Sequence, residues 1–324
     1  MSDLLTLTTH LRPEELDVAL RRDVREGLSR RPRSLPPKWF YDAAGSELFD
    51  QITRLPEYYP TEAERAALVA HAAEIVDGAR CTTVLELGSG SSDKTRTLLD
   101  AAQATGRLER YVPFDVSEAA LRDAAERLAE RYPDLRIDAV VGDFDRHLSR
   151  LPGGGRRMLA FLGGTIGNYP PGPRAALLEA IAATLEPGDS LLLGTDLVKD
   201  PARLVAAYDD AAGVTAEFNR NVLRVVNREL GADFVPERFE HVAIWNAEAA
   251  WIEMWLRSSV DQTVHVAELG LQVDFTAGES LLTEISAKFL RPGVEAELDA
   301  AGFDLAGWWT DPAGDFALSR SVRR

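Results

Sequence analysis

The sequence predicts an α/β fold: a parallel sheet covered by helices on both faces, with a second α+β domain inserted. Three observations predict it. Short apolar runs alternate with helical stretches from about residue 82 to residue 196, the rhythm of strand–helix–strand units. Those runs are hydrophobic almost throughout, as strands buried on both faces are. After Asp196 the rhythm breaks, and a sheet-like pattern returns only near the C-terminus. The expected division places 62–196 and 287–324 in the α/β domain. Residues 1–61 and 197–286 form an N-terminal helical segment plus the insertion.

Along the chain, Pro13 followed by Glu14 and Glu15 marks a helix start, because proline suits the first turn and acids favour the positive helix end. That helix is expected to run to about residue 30. A basic, proline-marked link from Arg30 to Pro37 follows. Next comes WFYDAAGSELFDQITRLPEYYP (39–60), dense in aromatic and turn residues. Thr61 with Glu64 makes a capping-box pattern, in which each side chain satisfies a free N–H of the helix start, so a helix is expected over about 61–77. Strands are expected at 82–87, 110–116, 136–144, 156–164 and 189–196. Helices are expected to about residue 104, over 117–132 and after Pro173. Past Asp196, two helices (200–211 and 215–230) lead into extended segments at 239–246, 249–259, 262–269 and 271–277. Their short spacing predicts an antiparallel meander. A helix near 292–301 and two strands, 305–310 and 316–322, close the chain, with Asp311, Pro312 and Gly314 in the turn between the strands.

The balance of 36 basic against 52 acidic residues, net −16, argues against nucleic acid as a partner, since binding a polyanion needs a basic face. No apolar run reaches the roughly eighteen residues of a membrane helix, and no basic-then-apolar leader opens the chain. The single Cys81 makes neither an intrachain disulfide nor a zinc cluster. The expectation is a cytoplasmic, monomeric protein acting on a small molecule, without metal, nucleic acid or membrane. Only four lysines occur, Lys38, Lys94, Lys199 and Lys288, and Lys94 follows a glycine loop.

That loop, Glu86-Leu87-Gly88-Ser89-Gly90, ends the first strand of the alternating region. Glycines there permit a tight turn and close approach of backbone to ligand. A dinucleotide fingerprint would place a third glycine where this chain has Asp93. The E-x-G-x-G form instead resembles the first motif of class I S-adenosylmethionine methyltransferases, with their Rossmann-like sheet. Alone the pattern is weak, since many strand-to-helix turns carry two glycines. Asp115 ends the second strand, 25 residues after Gly90, where an acid accepts both ribose hydroxyls. Asp143 with Phe144 ends the third, offering a carboxylate to an adenine amino group and a ring to its face. Lys94 suits the cofactor's carboxylate. Three such residues at successive strand ends lie where open α/β sheets bind ligands, and the final antiparallel hairpin is also a methyltransferase feature. The fourth strand leads into Gly163-Gly164-Thr165-Ile166-Gly167-Asn168-Tyr169-Pro170. Asn168 there suits a substrate carboxylate or amine, though a turn asparagine is the commoner case.

YDAAGSELFDQITRLPEYYPTEAE (41–64), ELGSGSSDKT (86–95), FLGGTIGNY (161–169) and TEISAKF (283–289) together resemble the ergothioneine-pathway L-histidine Nα-methyltransferases. The resemblance runs over nearly the whole chain, and the first and last motifs are its most specific parts. It implies Nα-trimethylation of L-histidine to hercynine with S-adenosyl-L-methionine as cofactor. It further implies that Gly88, Lys94, Asp115, Asp143 and Phe144, with Glu86 and Gly90 of the same loop, hold that cofactor. Tyr58, Asn168, Tyr208, Glu284 and Ser286 would hold histidine, Met254 would line the pocket, and Tyr41 and Gly163 would lie near the reacting amine. The division is chemically consistent. Asn168 and Tyr208 offer donors to a carboxylate, Glu284 accepts from an imidazole N–H, and Ser286 and Tyr58 donate or accept. Two other readings stay open: an N-methyltransferase of another amino acid or small amine, and a non-catalytic S-adenosylmethionine-binding module.

Overall fold

A computed structural model describes residues 4–90 and 94–324, so Asp93 lies outside the described residues. The chain forms two compact units. Met1–Arg12, Pro60–Leu197 and Phe289–Arg324 make the first, and Pro13–Tyr59 with Val198–Lys288 make the second.

The first unit is built on an eight-stranded sheet. Its spatial order is Leu5–Thr9, Arg136–Val141, Arg110–Asp115, Thr83–Leu87, Arg157–Phe161, Ser190–Asp196, Phe316–Arg323 and Phe303–Thr310. The first six run parallel, and Phe316–Arg323 runs antiparallel to both its neighbours, Ser190–Asp196 and Phe303–Thr310. This is the Rossmann-like class I methyltransferase architecture that the sequence predicts. Thr83–Leu87, Arg157–Phe161 and Ser190–Asp196 are buried at every position, which is why their sequences show no polar alternation. From Thr83–Leu87 the chain builds strands outward first on one side and then on the other. The carboxyl end of that strand is therefore the topological switch point, where open α/β sheets take ligands. In the closing hairpin, Asp311 accepts from the backbone N–H groups of Ala313, Asp315 and Phe316 at 2.7–2.9 Å, and Gly314 supplies the positive φ of +72°.

Two expectations about the chain's first third are corrected. The first twelve residues belong with the α/β unit, because Leu5–Thr9 pairs in parallel with Arg136–Val141. A five-residue strand carrying three threonines, with alternating polarity, is read correctly only once its edge position is known. The capping box at Thr61 does not form. The helix begins at Pro60 and runs to Ala79, and the Glu64 carboxylate bonds elsewhere.

The second unit holds a four-stranded sheet ordered Arg33–Ser34, Ser280–Ala287, Trp251–Ser258, Phe239–Asn246. In Trp251–Ser258 burial alternates strictly, so Ile252, Met254 and Leu256 form one inner face. The expected single meander splits. Gln262–Val266 and Leu271–Phe275 form a two-stranded sheet of their own, and their Val264, Val266, Val273 and Phe275 enter a core shared with Val226, Leu230 and Phe239. Alternating polarity marks a strand but not its partner, and here the apolar side of the hairpin packs into the unit's core, with Phe275 edge-on to Phe234 and Phe239. No helix among the described residues is long and apolar enough to cross a membrane.

Candidate active site

In the first unit the glycine loop is held from below. Gly88 and Gly90 have φ of +67° and +48°, which only glycine adopts readily. The Gly88 N–H donates to the Phe114 carbonyl at 2.8 Å. The Gly90 N–H donates to Asp115 Oδ2 at 3.0 Å, and Ser117 N–H donates to Oδ1 at 3.0 Å. Burial raises the Asp115 pKa against the opposing effect of those two N–H groups. Each of its oxygens keeps a further lone pair for an incoming hydroxyl. Glu86 lies deeper, 4% exposed. Thr95 Oγ1 contacts its two oxygens at 2.5 and 2.6 Å, and the Tyr111 hydroxyl donates to it as well. Glu86 thus ties the loop's strand to the helix Thr95–Ala104 and the next strand. Burial lifts its pKa to about 7, although Thr95 and Tyr111 pull it down.

Glu64 joins two of the expected site residues. It has no exposed surface. Oε1 accepts from Gly163 N–H at 2.7 Å, and Oε2 forms an ion pair with Lys94 Nζ. Gly163 has φ of +77°, and a Cβ there would stand 3.8 Å from Lys94 Nζ. Space for the carboxylate comes from Gly194, where a Cβ would sit 2.5 Å from Glu64 Oε1. Asp143 accepts from Asp145 N–H at 2.9 Å and so caps the short turn that begins at Phe144. The Phe144 ring meets Phe161 edge-on at 5.7 Å and leans on Phe114 at 6.5 Å. Asn168 ends a short 3₁₀ turn, Thr165–Asn168, after that strand and is half-buried.

The second unit gathers the other expected residues around aromatic rings. Tyr41 stands edge-on to Phe49 and Phe218, Phe49 to Tyr58, and Tyr58 to Tyr208, with centroids 5.5–6.2 Å apart. Asp42 caps the helix Ala43–Ile52 by accepting from Gly45 N–H at 2.8 Å. Asn221 Nδ2 donates to Asp42 Oδ1 at 2.8 Å and to the Phe40 carbonyl at 3.0 Å. A Cβ at Gly45 would lie 1.7 Å from that same carbonyl. The YDAAGS motif is therefore a clamp that fixes the backbone on both sides of Tyr41. His241, buried, does similar work at Tyr208. Its Nε2–H donates to the Tyr208 carbonyl at 2.8 Å, and Nδ1 accepts from the Asn219 amide at 2.8 Å. Burial lowers its pKa, in keeping with a neutral ring.

A β-bulge sets the polar end of this unit. The register between Ser280–Ala287 and Trp251–Ser258 shifts between Leu282 and Glu284, leaving Thr283 as the extra residue, its hydroxyl donating to the Met254 carbonyl at 2.9 Å. A bulge reverses which residues point inward beyond it. Leu281 faces Leu256, but past the bulge it is Glu284 and Ser286 that stand opposite Met254 and Ile252, on the inner face. Both are buried. Burial lifts the Glu284 pKa to about 7, and the charge of Lys288 opposes the rise. No described residue donates a hydrogen bond to the Glu284 carboxylate. Ser286 Oγ lies 2.7 Å from the Tyr208 hydroxyl, and Lys288 Nζ donates to both at 2.9 Å.

The model of the histidine-specific, S-adenosylmethionine-dependent methyltransferase family matches residues 20–322. The chain belongs to that family. It is similar to a histidine N-alpha-methyltransferase of Mycolicibacterium smegmatis, 60% identical over 98% of this chain and 99% of that one. A histidine N-alpha-methyltransferase of Mycobacterium tuberculosis is 57% identical with the same coverage. An ergothioneine biosynthesis protein of Schizosaccharomyces pombe is 27% identical over 94% of this chain and 40% of its own length. Family membership makes the chain an S-adenosylmethionine-dependent methyltransferase.

Sequence reasoning missed Glu64, Asn221, His241 and Lys288 in these roles. Glu64 and Lys288 stood inside the quoted motifs, yet charge and spacing alone point a surface acid or lysine outward.

Two outcomes are expected. Glu64→Ala leaves the Gly163 N–H and the Lys94 ammonium without their buried acceptor and lowers unfolding free energy by about 2–4 kcal/mol. Glu64→Gln keeps an acceptor for Gly163 and loses about half as much. Equal denaturation midpoints for the wild type and both variants would remove Glu64 from this role. The second concerns pH. The folded chain holds the Glu86 proton up to about 7, whereas the unfolded chain releases it near its ordinary value of 4.5. The unfolded state therefore binds fewer protons between those values, and stability falls as pH rises through that window, by about 3 kcal/mol in all. Glu86→Gln removes this decline, so the difference in melting temperature between variant and wild type grows from pH 5 to pH 8. A pH-independent difference would contradict the assignment.

Proposed function

We propose that this chain transfers three methyl groups from S-adenosyl-L-methionine to the α-amine of L-histidine, giving the betaine hercynine, a step toward ergothioneine. The observation that carries the reading is Glu284. This carboxylate has little exposed surface and receives no hydrogen bond from any described residue, so it keeps acceptor capacity that a ligand donor can fill. The neutral imidazole N–H is such a donor. The names of the close relatives support the same substrate.

The donor set of the first unit fits the cofactor. Asp115, already gripping the loop through Gly90, has lone pairs for the ribose hydroxyls. Lys94 supplies a cation for the carboxylate, and Asp143 with Phe144 offers an acceptor and a ring to the adenine. Gly88 and Gly90 bring the backbone close, and Glu86 positions the loop from beneath without touching the ligand. When bound, S-adenosylmethionine supplies a methyl already activated as a sulfonium. The work left to the protein is then orientation and exclusion of water. In the second unit, Glu284 and Ser286 fix the imidazole, Tyr58 and Tyr208 hold the amino-acid head, and Met254 shapes the wall. Tyr41 serves the reacting amine. The faces of Tyr41, Phe49 and Tyr58 suit a quaternary ammonium product. The net charge of −16 supports a small-molecule substrate rather than nucleic acid, and we place the reaction in the cytoplasm, carried out by a monomer.

Turnover with each of the twenty amino acids tests the substrate. Histidine is expected to lead by orders of magnitude, and turnover with another amino acid alone would overturn the reading. Glu284→Ala is expected to lower kcat/KM for histidine by about 10²–10⁴-fold, as sites built on buried hydrogen bonds lose discrimination when one is removed. Cofactor affinity stays unchanged, and the gap between histidine and tryptophan or leucine narrows. A preserved ratio would mean that Glu284 does not read the ring.

A further inference from the structure

In the first unit the Lys94 side chain is 30% exposed, while that of its partner Glu64 is 0% exposed. Both Glu64 oxygens are engaged from within the fold, Oε1 by the Gly163 N–H at 2.7 Å and Oε2 by Lys94 Nζ. A group without surface touches no ligand itself. Lys94 is differently placed. An ammonium carries three donors, the bond to Glu64 uses one of them, and the partly exposed head is open to a ligand. A Cβ at Gly163 would stand 3.8 Å from Nζ, so the ammonium lies directly over that turn. The pair also sits beside the glycine loop. Lys94 immediately precedes the helix Thr95–Ala104, and both charges act on Glu86 in the loop's strand, Lys94 lowering its pKa and Glu64 raising it.

A lysine head on a flexible stem loses conformational freedom when a ligand fixes it, and that loss weakens binding. Held by Glu64, the ammonium is in place beforehand. The carboxylate also balances its charge, so the pair presents directed donors without a net charge. Such a pair suits a ligand group that carries its own cation beside its carboxylate, and a bare anion would meet the repulsion of Glu64 as well. The amino-acid end of S-adenosylmethionine, an α-carboxylate next to an α-ammonium, is a group of the suited kind. We propose that Glu64 is a positioning residue for the cofactor: it holds the Lys94 ammonium over the Gly163 turn, ready for the α-carboxylate of S-adenosylmethionine. This rests on the reading that Lys94 meets that carboxylate.

Calorimetry with two ligands tests it: S-adenosylhomocysteine, which carries the amino-acid end, and 5′-methylthioadenosine, which has the same adenosine and thioether without that end. The first is titrated directly and the second by competition against it, for wild type, Glu64→Gln, Lys94→Met and the double variant. Each single change is expected to weaken S-adenosylhomocysteine binding about tenfold, since the charge-assisted bond to the carboxylate is lost in one and misplaced in the other. The double variant is expected to bind it within about threefold of Lys94→Met alone, because Glu64 acts through that ammonium. Affinity for 5′-methylthioadenosine stays within about threefold in all four, which also reports on folding of the glycine loop. Glu64→Asp, made in parallel, keeps the charge but draws it back by one methylene. It is expected to show the same split between the ligands, so the proposal stays open to refutation if the glutamine variant does not fold. Equal losses for both ligands would mean that Glu64 only stabilises the fold. Losses that multiply in the double variant, or a Glu64→Gln protein with wild-type affinity for S-adenosylhomocysteine, would likewise overturn the positioning role. Unchanged affinity in Lys94→Met would overturn the contact between Lys94 and the carboxylate together with it. Histidine is absent throughout, so the substrate reading stands or falls separately, on the turnover panel of amino acids.

Discussion

Burying the Glu64 carboxylate at the carboxyl edge of the sheet is tolerable only because two donors meet it there, the Gly163 N–H and the Lys94 ammonium. An unpaired buried charge would cost several kcal/mol, so the three groups stand or fall together. That requirement explains several local features. Gly163 must hold a left-handed φ to aim its N–H. Gly194 must lack a side chain to leave room for Oε1. The helix from Pro60 must start near the sheet's carboxyl edge, so that Glu64, near its first turn, reaches the Gly163 N–H. A lysine beside the glycine loop and the turn after the fourth strand of the alternating region thereby become parts of one rigid feature, although 69 residues separate them in sequence.

The second unit reaches comparable rigidity by other means. Its helix and strand ends are fixed by neutral groups, namely Asn221 on Phe40 and Asp42, and His241 between Asn219 and Tyr208. A single extra residue at Thr283 then reverses the inward face of its strand. Without that bulge, Ile285 would stand on the inner face and Glu284 on the opposite one, since strand side chains alternate with period two. The polar pair exists on the buried side because of one local irregularity.

The parallel strands, the glycine loop and the acids at successive strand ends were legible in the sequence because each is a local pattern: an unbroken apolar run, a positive-φ glycine, a carboxylate just past a strand. What was not legible depends on distant partners. The edge strand Leu5–Thr9 is too short and polar to announce itself. That Gln262–Val266 and Leu271–Phe275 make a sheet of their own, rather than part of a larger meander, was decided by their packing into the core. Glu64 matched a capping box locally, and a longer-range ion pair overrode it. The bulge at Thr283 leaves no mark in composition, so the common face of Glu284 and Ser286 follows from their i, i+2 spacing, while the side that face occupies does not.

Burial acts on Glu86 and Glu284 alike, raising both pKa values to about 7, yet the consequences differ because the donors differ. Around Glu86 the hydroxyls of Thr95 and Tyr111 complete the carboxyl group from within the fold, so its energetic role is closed and structural. Around Glu284 the fold supplies a nearby positive charge, and no described residue donates a hydrogen bond to it. Desolvation thus sets the same starting point twice. What separates the two is whether, among the described residues, a protein donor completes the carboxyl group.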